Sequence, residues 1–106
     1  MDTPKLAWKG YDIVGVMQEA LSVPVGLDTD VNGSLLGEAV WGAAKGLSDA
    51  VYITIGTGVG GGVMSNGRLV HGMLHPELGH MRLAQMPSDS YKGICPFHGN
   101  CLEGLA

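Results

Sequence analysis

Cys95-x-x-His98-x-x-Cys101 places three soft or borderline metal ligands in one short loop, and His80 stands upstream to supply a fourth. Four such ligands satisfy one tetrahedral zinc ion, so the segment from His80 to Cys101 is expected to close around a metal. With every position filled there is no room for a bound water, and the ion is expected to be structural rather than a Lewis acid. His71 and His75 are further histidines from which the fourth ligand could come, and a lone histidine such as His71 is ordinarily a surface or satisfied core residue. The same stretch interleaves Glu77 and Glu103, which zinc does not require. They either orient the ligating histidines as acceptors or simply face solvent, or they form a pair of fixed acceptors for vicinal hydroxyls of a sugar. Local pattern leaves these readings open.

A chain of 106 residues is long enough for one hydrophobic core but not for a two-lobed enzyme. Residues 1–10 read as a loop with no capped element before it, and Leu102 to Ala106 stops where an apolar pattern begins, so an internal piece of a larger protein is expected. Hydrophobic residues make up 45% and glycines number 18, which indicates a globular chain with tight turns and close backbone approaches. A net charge of −4 with scattered Lys and Arg argues against a nucleic-acid surface, which needs a concentrated cationic patch, so no nucleic-acid partner is expected. A charged leader, a membrane-length apolar run and a lipidation signal are all missing, so the expected compartment is the cytosol, with no membrane partner. There, two cysteines separated by five residues read as thiolate ligands rather than a disulfide.

Apolar residues recur at helical intervals from Tyr11 to Leu21, and Pro24 is expected to end that helix. Val23 to Leu27 is a short strand candidate, Asn32 to Lys45 a packed helix, and Gly46 its C-terminal cap. Ala50 to Ile55 and Val59 to Met64 are strands around Gly56-Thr57-Gly58, and Ser65-Asn66-Gly67 turns the chain into Arg68 to Val70. The order describes an antiparallel meander. Met86 to Gly93 is polar and has little reason for order without the metal that follows.

Two further positions carry chemistry. The turn Gly56-Thr57-Gly58, followed by Gly60-Gly61-Gly62, can present peptide N–H groups and the Thr57 hydroxyl to an anion, or it is a hairpin with β-bulges. It is neither a Walker A loop nor a dinucleotide fingerprint, since Gly-Lys-Ser/Thr is missing and a strand follows. Asp30, at a strand-to-helix junction, either caps the helix or acts as a general base toward a substrate hydroxyl.

Taken together, Leu27-Asp-Thr-Asp30-Val-Asn-Gly33 with Gly37 to Gly46, Tyr52 to Gly60, Glu77-Leu-Gly-His80 and Cys95 to Gly104 resemble the ROK family of sugar kinases and repressors, and within it the bacterial fructokinases. The pieces occur in family order over nearly the whole chain. The resemblance implies an α/β fold of the actin-like, ribonuclease-H-like type whose two lobes close on sugar and ATP. Residues 1–46 would be the end of the first lobe with a hinge helix, and 47–106 the start of the second, with the phosphate turn and zinc loop. By the same resemblance Asp30 would deprotonate the primary hydroxyl of a hexose, while Glu77, His80 and Glu103 hold the others. Gly56, Thr57 and Gly58 would lie near the ATP γ-phosphate and its magnesium, and His80 would serve both sugar and zinc alongside Cys95, His98 and Cys101. Thr29 before Asp30, and His98 in place of a cysteine, look like the fructokinase branch and favour fructose over glucose.

The family's N-terminal Asp-x-Gly-Gly-Thr loop and C-terminal part are not in this sequence, so the piece alone is expected to be a poor kinase or none, and the full-length protein a homodimer. A sugar-sensing repressor of the same family is the alternative, and a zinc-stabilised interaction module without enzymatic activity is the third reading.

Overall fold

The computed structural model describes residues 6–73 and 75–106; the loop expected at 1–10 therefore lies partly outside them, and Leu6–Trp8 within it forms a single 3-10 turn. Helix α1 spans Ile13–Leu21, capped by the Asp12 carboxylate, which accepts from the Gly15 N–H. Ser22, in a left-handed conformation, closes it before Pro24 is reached. None of its residues is buried. The strand expected at Val23 to Leu27 is not formed: the segment pairs with no strand among the described residues, and Pro24 has no N–H to donate.

Helix α2 runs Asp30–Trp41, two residues ahead of the expected start and four short of the expected end. Thr29, not Asp30, is its N-cap: the Thr29 Oγ1 accepts from the Asn32 N–H at 3.2 Å, a contact of a kind that contributes about 1 kcal/mol. Asp30 is thereby the first helical residue. At the far end Gly42 stops the helix, and the Glu38 carboxylate accepts from the Ala43 N–H, so residues 42–46 are turns. Gly46 does adopt a left-handed φ of 82°, but it ends those turns and not the helix.

Strands β1 (Ala50–Ile55), β2 (Val59–Ser65) and β3 (Arg68–Leu69) form the expected antiparallel meander in the order β1-β2-β3. Asn66 and Gly67, with φ of 51° and 71°, make the tight hairpin turn. The Asp49 carboxylate fixes that turn by accepting from Ser65 Oγ and the Asn66 N–H. A 3-10 turn, Leu78–His80, and a short helix α3, Leu102–Leu105, complete the described elements.

The glycine run is a regular strand without bulges: Tyr52, Ile53 and Thr54 stand opposite Gly62, Gly61 and Gly60 in unbroken register. Its glycines answer to packing on two faces. A Cβ on Gly62 would lie 2.8 Å from the Val31 carbonyl oxygen and 2.9 Å from Asn32 Oδ1, and one on Gly60 would lie 3.1 Å from Val31 Cγ1. On the other face, a Cβ on Gly61 would meet Leu78 Cδ2 at 2.9 Å. The first turn of α2 and the Leu78–His80 turn therefore both rest directly on the backbone of β2. Val31, Leu35, Val59 and Met64 are buried around this contact.

The start of α2 is also tied laterally. Asp28 Oδ1 accepts from Asn32 Nδ2 at 2.8 Å, and Asp28 Oδ2 lies 2.7 Å from Nε2 of His71, just beyond β3. Hydrogen bonds from Asn32, His71 and the Thr29 N–H hold the Asp28 carboxyl below its ordinary 3.8.

Two outcomes follow for stability. Gly62→Ala should lose about 1–3 kcal/mol in denaturant unfolding, because the obstructing atom is backbone, whereas Gly33→Ala, on a helical position with nothing within 4 Å, should gain about 0.4–1 kcal/mol. Since a carboxylate with a depressed folded pKa stabilises above its unfolded pKa, Asp28→Asn should lower the melting temperature at pH 7, and the deficit should shrink as pH falls below 3.8.

Candidate functional site

A cavity of ≈ 410 Å³ opens where the ends of these elements meet, within the range of small-molecule sites. Asp30 at the start of α2, Glu77 just before the Leu78–His80 turn and Glu103 in α3 all line it, together with the Gly56-Thr57-Gly58 turn between β1 and β2. The close packing on β2 is what brings them together, since it draws the beginning of α2 and the Leu78–His80 turn onto opposite faces of one strand.

Each acid is held by one oxygen. Asp30 Oδ1 accepts from the Val31 N–H at 2.9 Å, Glu103 Oε2 accepts from the Val59 N–H at 3.0 Å, and Glu77 Oε1 lies 2.7 Å from His75 Nε2. The second oxygen of each carboxylate has no partner among the described residues, so all three keep acceptor capacity for a ligand. Neither glutamate bonds His80 or His98 among the described residues, so neither orients those histidines directly. In the glycine turn the Gly56 N–H is spent on the Gly58 carbonyl at 2.9 Å, while the Thr57 and Gly58 amides make no hydrogen bond among the described residues. Gly58 is confined by Glu103, whose Oε2 would lie 2.6 Å from a Cβ there.

His80, Cys95, His98 and Cys101 come together as a second cluster, with all four ligand atoms within 4.8 Å of one another. Cys95 Sγ is 3.7 Å from His80 Nδ1 and 3.9 Å from His98 Nδ1, and Cys101 Sγ is 3.6 Å from His80 Nδ1. The 3.6 and 3.7 Å separations fall within the edges, about 3.3–3.8 Å, of a tetrahedron drawn with zinc–nitrogen and zinc–sulfur bond lengths, and the 3.9 Å one lies just beyond them. Both cysteines are free and buried. Burial pushes the Cys95 thiol up, but the backbone N–H groups of His98 and Phe97, and then the Cys101 and His98 side chains, outweigh it and bring it down to about 6. The loop thus favours the thiolate that a metal needs. His71 and His75 are engaged elsewhere, by Asp28 and Glu77.

The cavity wall includes Leu78 and Gly79, whereas His80 lies on the metal cluster and does not line the cavity. The polar segment after Met86 has protein partners: the Gln85 side chain donates to the Tyr91 carbonyl and accepts from Asn100 Nδ2, within the Cys95–Cys101 loop, and Asp89 accepts from the Tyr91 N–H. His75, which the sequence offered only as a possible metal ligand, lines the cavity and meets Glu77 two positions on.

Among known proteins, the ROK family pattern matches residues 1–106. The chain is 50% identical over 106 residues to a fructokinase of Zymomonas mobilis, covering 99% of this chain and 35% of that protein. A xylose repressor of Bacillus subtilis matches less closely, at 37% over 83 residues, 76% of this chain and 22% of that protein. Among solved structures, a ROK hexokinase from Thermus thermophilus superposes with a TM-score of 0.75 at 37% identity, over 91% of this chain and 32% of that one. A ROK glucokinase from Streptomyces griseus, in complex with glucose and AMPPNP, gives 0.71 at 29% identity, over 93% of this chain and 31% of that one. The chain thus spans about a third of the length of such relatives. The family pattern spans the whole chain and the structural match 91% of it, and the chain belongs to the ROK family.

Proposed function

We propose that this chain is the central part of an ATP-dependent hexose kinase of the actin-like fold that phosphorylates a primary 6-hydroxyl, with fructose as the hexose. The observation that carries the proposal is the shared cavity: three carboxylates from positions 30, 77 and 103 wall one space beside a glycine turn with unspent amides. High identity to fructokinases supports the choice of sugar.

In this reading Glu77 and Glu103 accept hydroxyl protons of the sugar and hold the ring. Asp30 accepts the proton of the primary hydroxyl through its unbound oxygen, and the resulting nucleophile displaces ADP from the γ-phosphorus in line. Thr57 and Gly58 cradle the transferring phosphoryl group with their amides. Magnesium carried with ATP supplies charge neutralisation. The donor set of His80, Cys95, His98 and Cys101 fits zinc, which when bound supplies a cross-link and no open coordination position. His80 joins metal and sugar sites through its place at the end of the Leu78–His80 turn, next to the cavity-lining Gly79. A cytosolic location belongs to the same reading; among the described residues no helix is long and apolar enough to cross a membrane.

Asp30→Asn in the complete protein should reduce kcat by roughly two or more powers of ten, as loss of a general base does, while fructose binding by calorimetry stays within a few-fold. Unchanged turnover would remove Asp30 from the chemistry. A sugar-sensing repressor would share the cavity but needs no proton acceptor, so full ligand response with no phosphorylation by the unaltered protein would select it instead. Chelation should speed hydrogen exchange across residues 94–101 and weaken fructose binding several-fold; affinity indifferent to zinc would separate the loop from the sugar site.

A further inference from the structure

We infer that His75 is a positioning residue for hexose binding: its Nε2–H anchors Glu77 Oε1 so that the other Glu77 oxygen is presented to a sugar hydroxyl. The inference rests on the hexose-kinase reading above. Three observations support it. His75 lines the same cavity as Glu77, and the two side chains meet at 2.7 Å. The cavity wall holds three carboxylates and no Lys or Arg among the described residues, which leaves His75 as the lining side chain able to donate from a ring nitrogen and offset the acids' mutual repulsion. Finally, the Glu77 side chain is 61% exposed and the His75 side chain 47%, so a pair of this kind adds little to stability.

What the pair does change is geometry. An exposed glutamate samples several rotamers, and fixing one of them before the ligand arrives removes that ordering cost from binding. Pro76 restricts the backbone between the two residues and keeps the donor where the carboxylate needs it. His75 therefore acts through Glu77, and its removal is read in sugar affinity rather than in the chemical step.

The test compares His75→Ala, His75→Gln and Glu77→Gln in the complete protein, by fructose calorimetry and by steady-state phosphorylation. His75→Ala should raise both Kd and KM for fructose several-fold, up to about tenfold, as ordering one free side chain on binding does, with kcat within about twofold. His75→Gln, which retains an N–H donor of similar reach, should recover most of that affinity. Equal affinity of His75→Ala and the unaltered protein, alongside weakened binding by Glu77→Gln, would overturn the role of His75 and leave the kinase reading standing. A fall in kcat at constant Kd would overturn it as well, as would a Gln variant no better than Ala. An unaltered protein that neither binds nor phosphorylates hexoses would remove the kinase reading and this inference with it.

Discussion

Direct contact between β2 and its two neighbours is the constraint on which the arrangement depends. A strand carrying side chains at positions 60, 61 and 62 would push α2 and the Leu78–His80 turn away. With glycine there, the Val31 carbonyl and Asn32 Oδ1 come within 2.9 Å of where one Cβ would be, and Leu78 Cδ2 within 2.9 Å of where another would be. Alternation along the strand sends the even positions toward the helix and the odd one toward the turn. One run of small residues thus serves two interfaces, and the acids at the near ends of both elements are carried to one cavity as a result.

The meander and both principal helices were legible because they rest on local signals: β-branched runs, an Asn-Gly turn and helical apolar spacing. The metal cluster was legible too, since ligand chemistry and spacing restrict it more tightly than any propensity. Other features were not accessible locally. The start of α2 was misplaced because Thr29 and Asp30 are both good caps, and only the Thr29-to-Asn32 hydrogen bond decides between them. Val23 to Leu27 has strand composition, but pairing is a tertiary property and no partner strand lies among the described residues. The glycine run was ambiguous between an anion loop and bulges, and the packing reason for it required knowledge of what lies above and below the strand.

The site's electrostatics follow from how its acids are held. Three carboxylates share one cavity, and each has a hydrogen-bond donor. Here the donors are the Val31 and Val59 amides and the His75 ring, each engaging one oxygen and leaving the other. Two of those donors are backbone groups of the same packed unit formed by α2 and β2. Orientation of the acids and integrity of the fold are accordingly the same property at positions 30 and 103, whereas at 77 it is delegated to an exposed side chain.

Glu103 is where the two clusters meet. It lies two residues after the buried Cys101 of the Cys/His cluster, and its carboxylate bonds the Val59 amide immediately after the glycine turn. The intervening Leu102 donates its N–H to the Met81 carbonyl, next to His80, and the Ile94 N–H bonds the Gly104 carbonyl, next to Cys95. A Cβ on either Gly104 or Gly93 would collide with the Gly99 carbonyl oxygen, so the backbone passes itself closely there. Leu102 and Glu103 link the Cys/His loop to Val59 and the turn that precedes it. That path is short, covalent for most of its length and closed by one charge-assisted hydrogen bond, which gives the ligand cluster a mechanical route to the cavity even though none of its four side chains lines it.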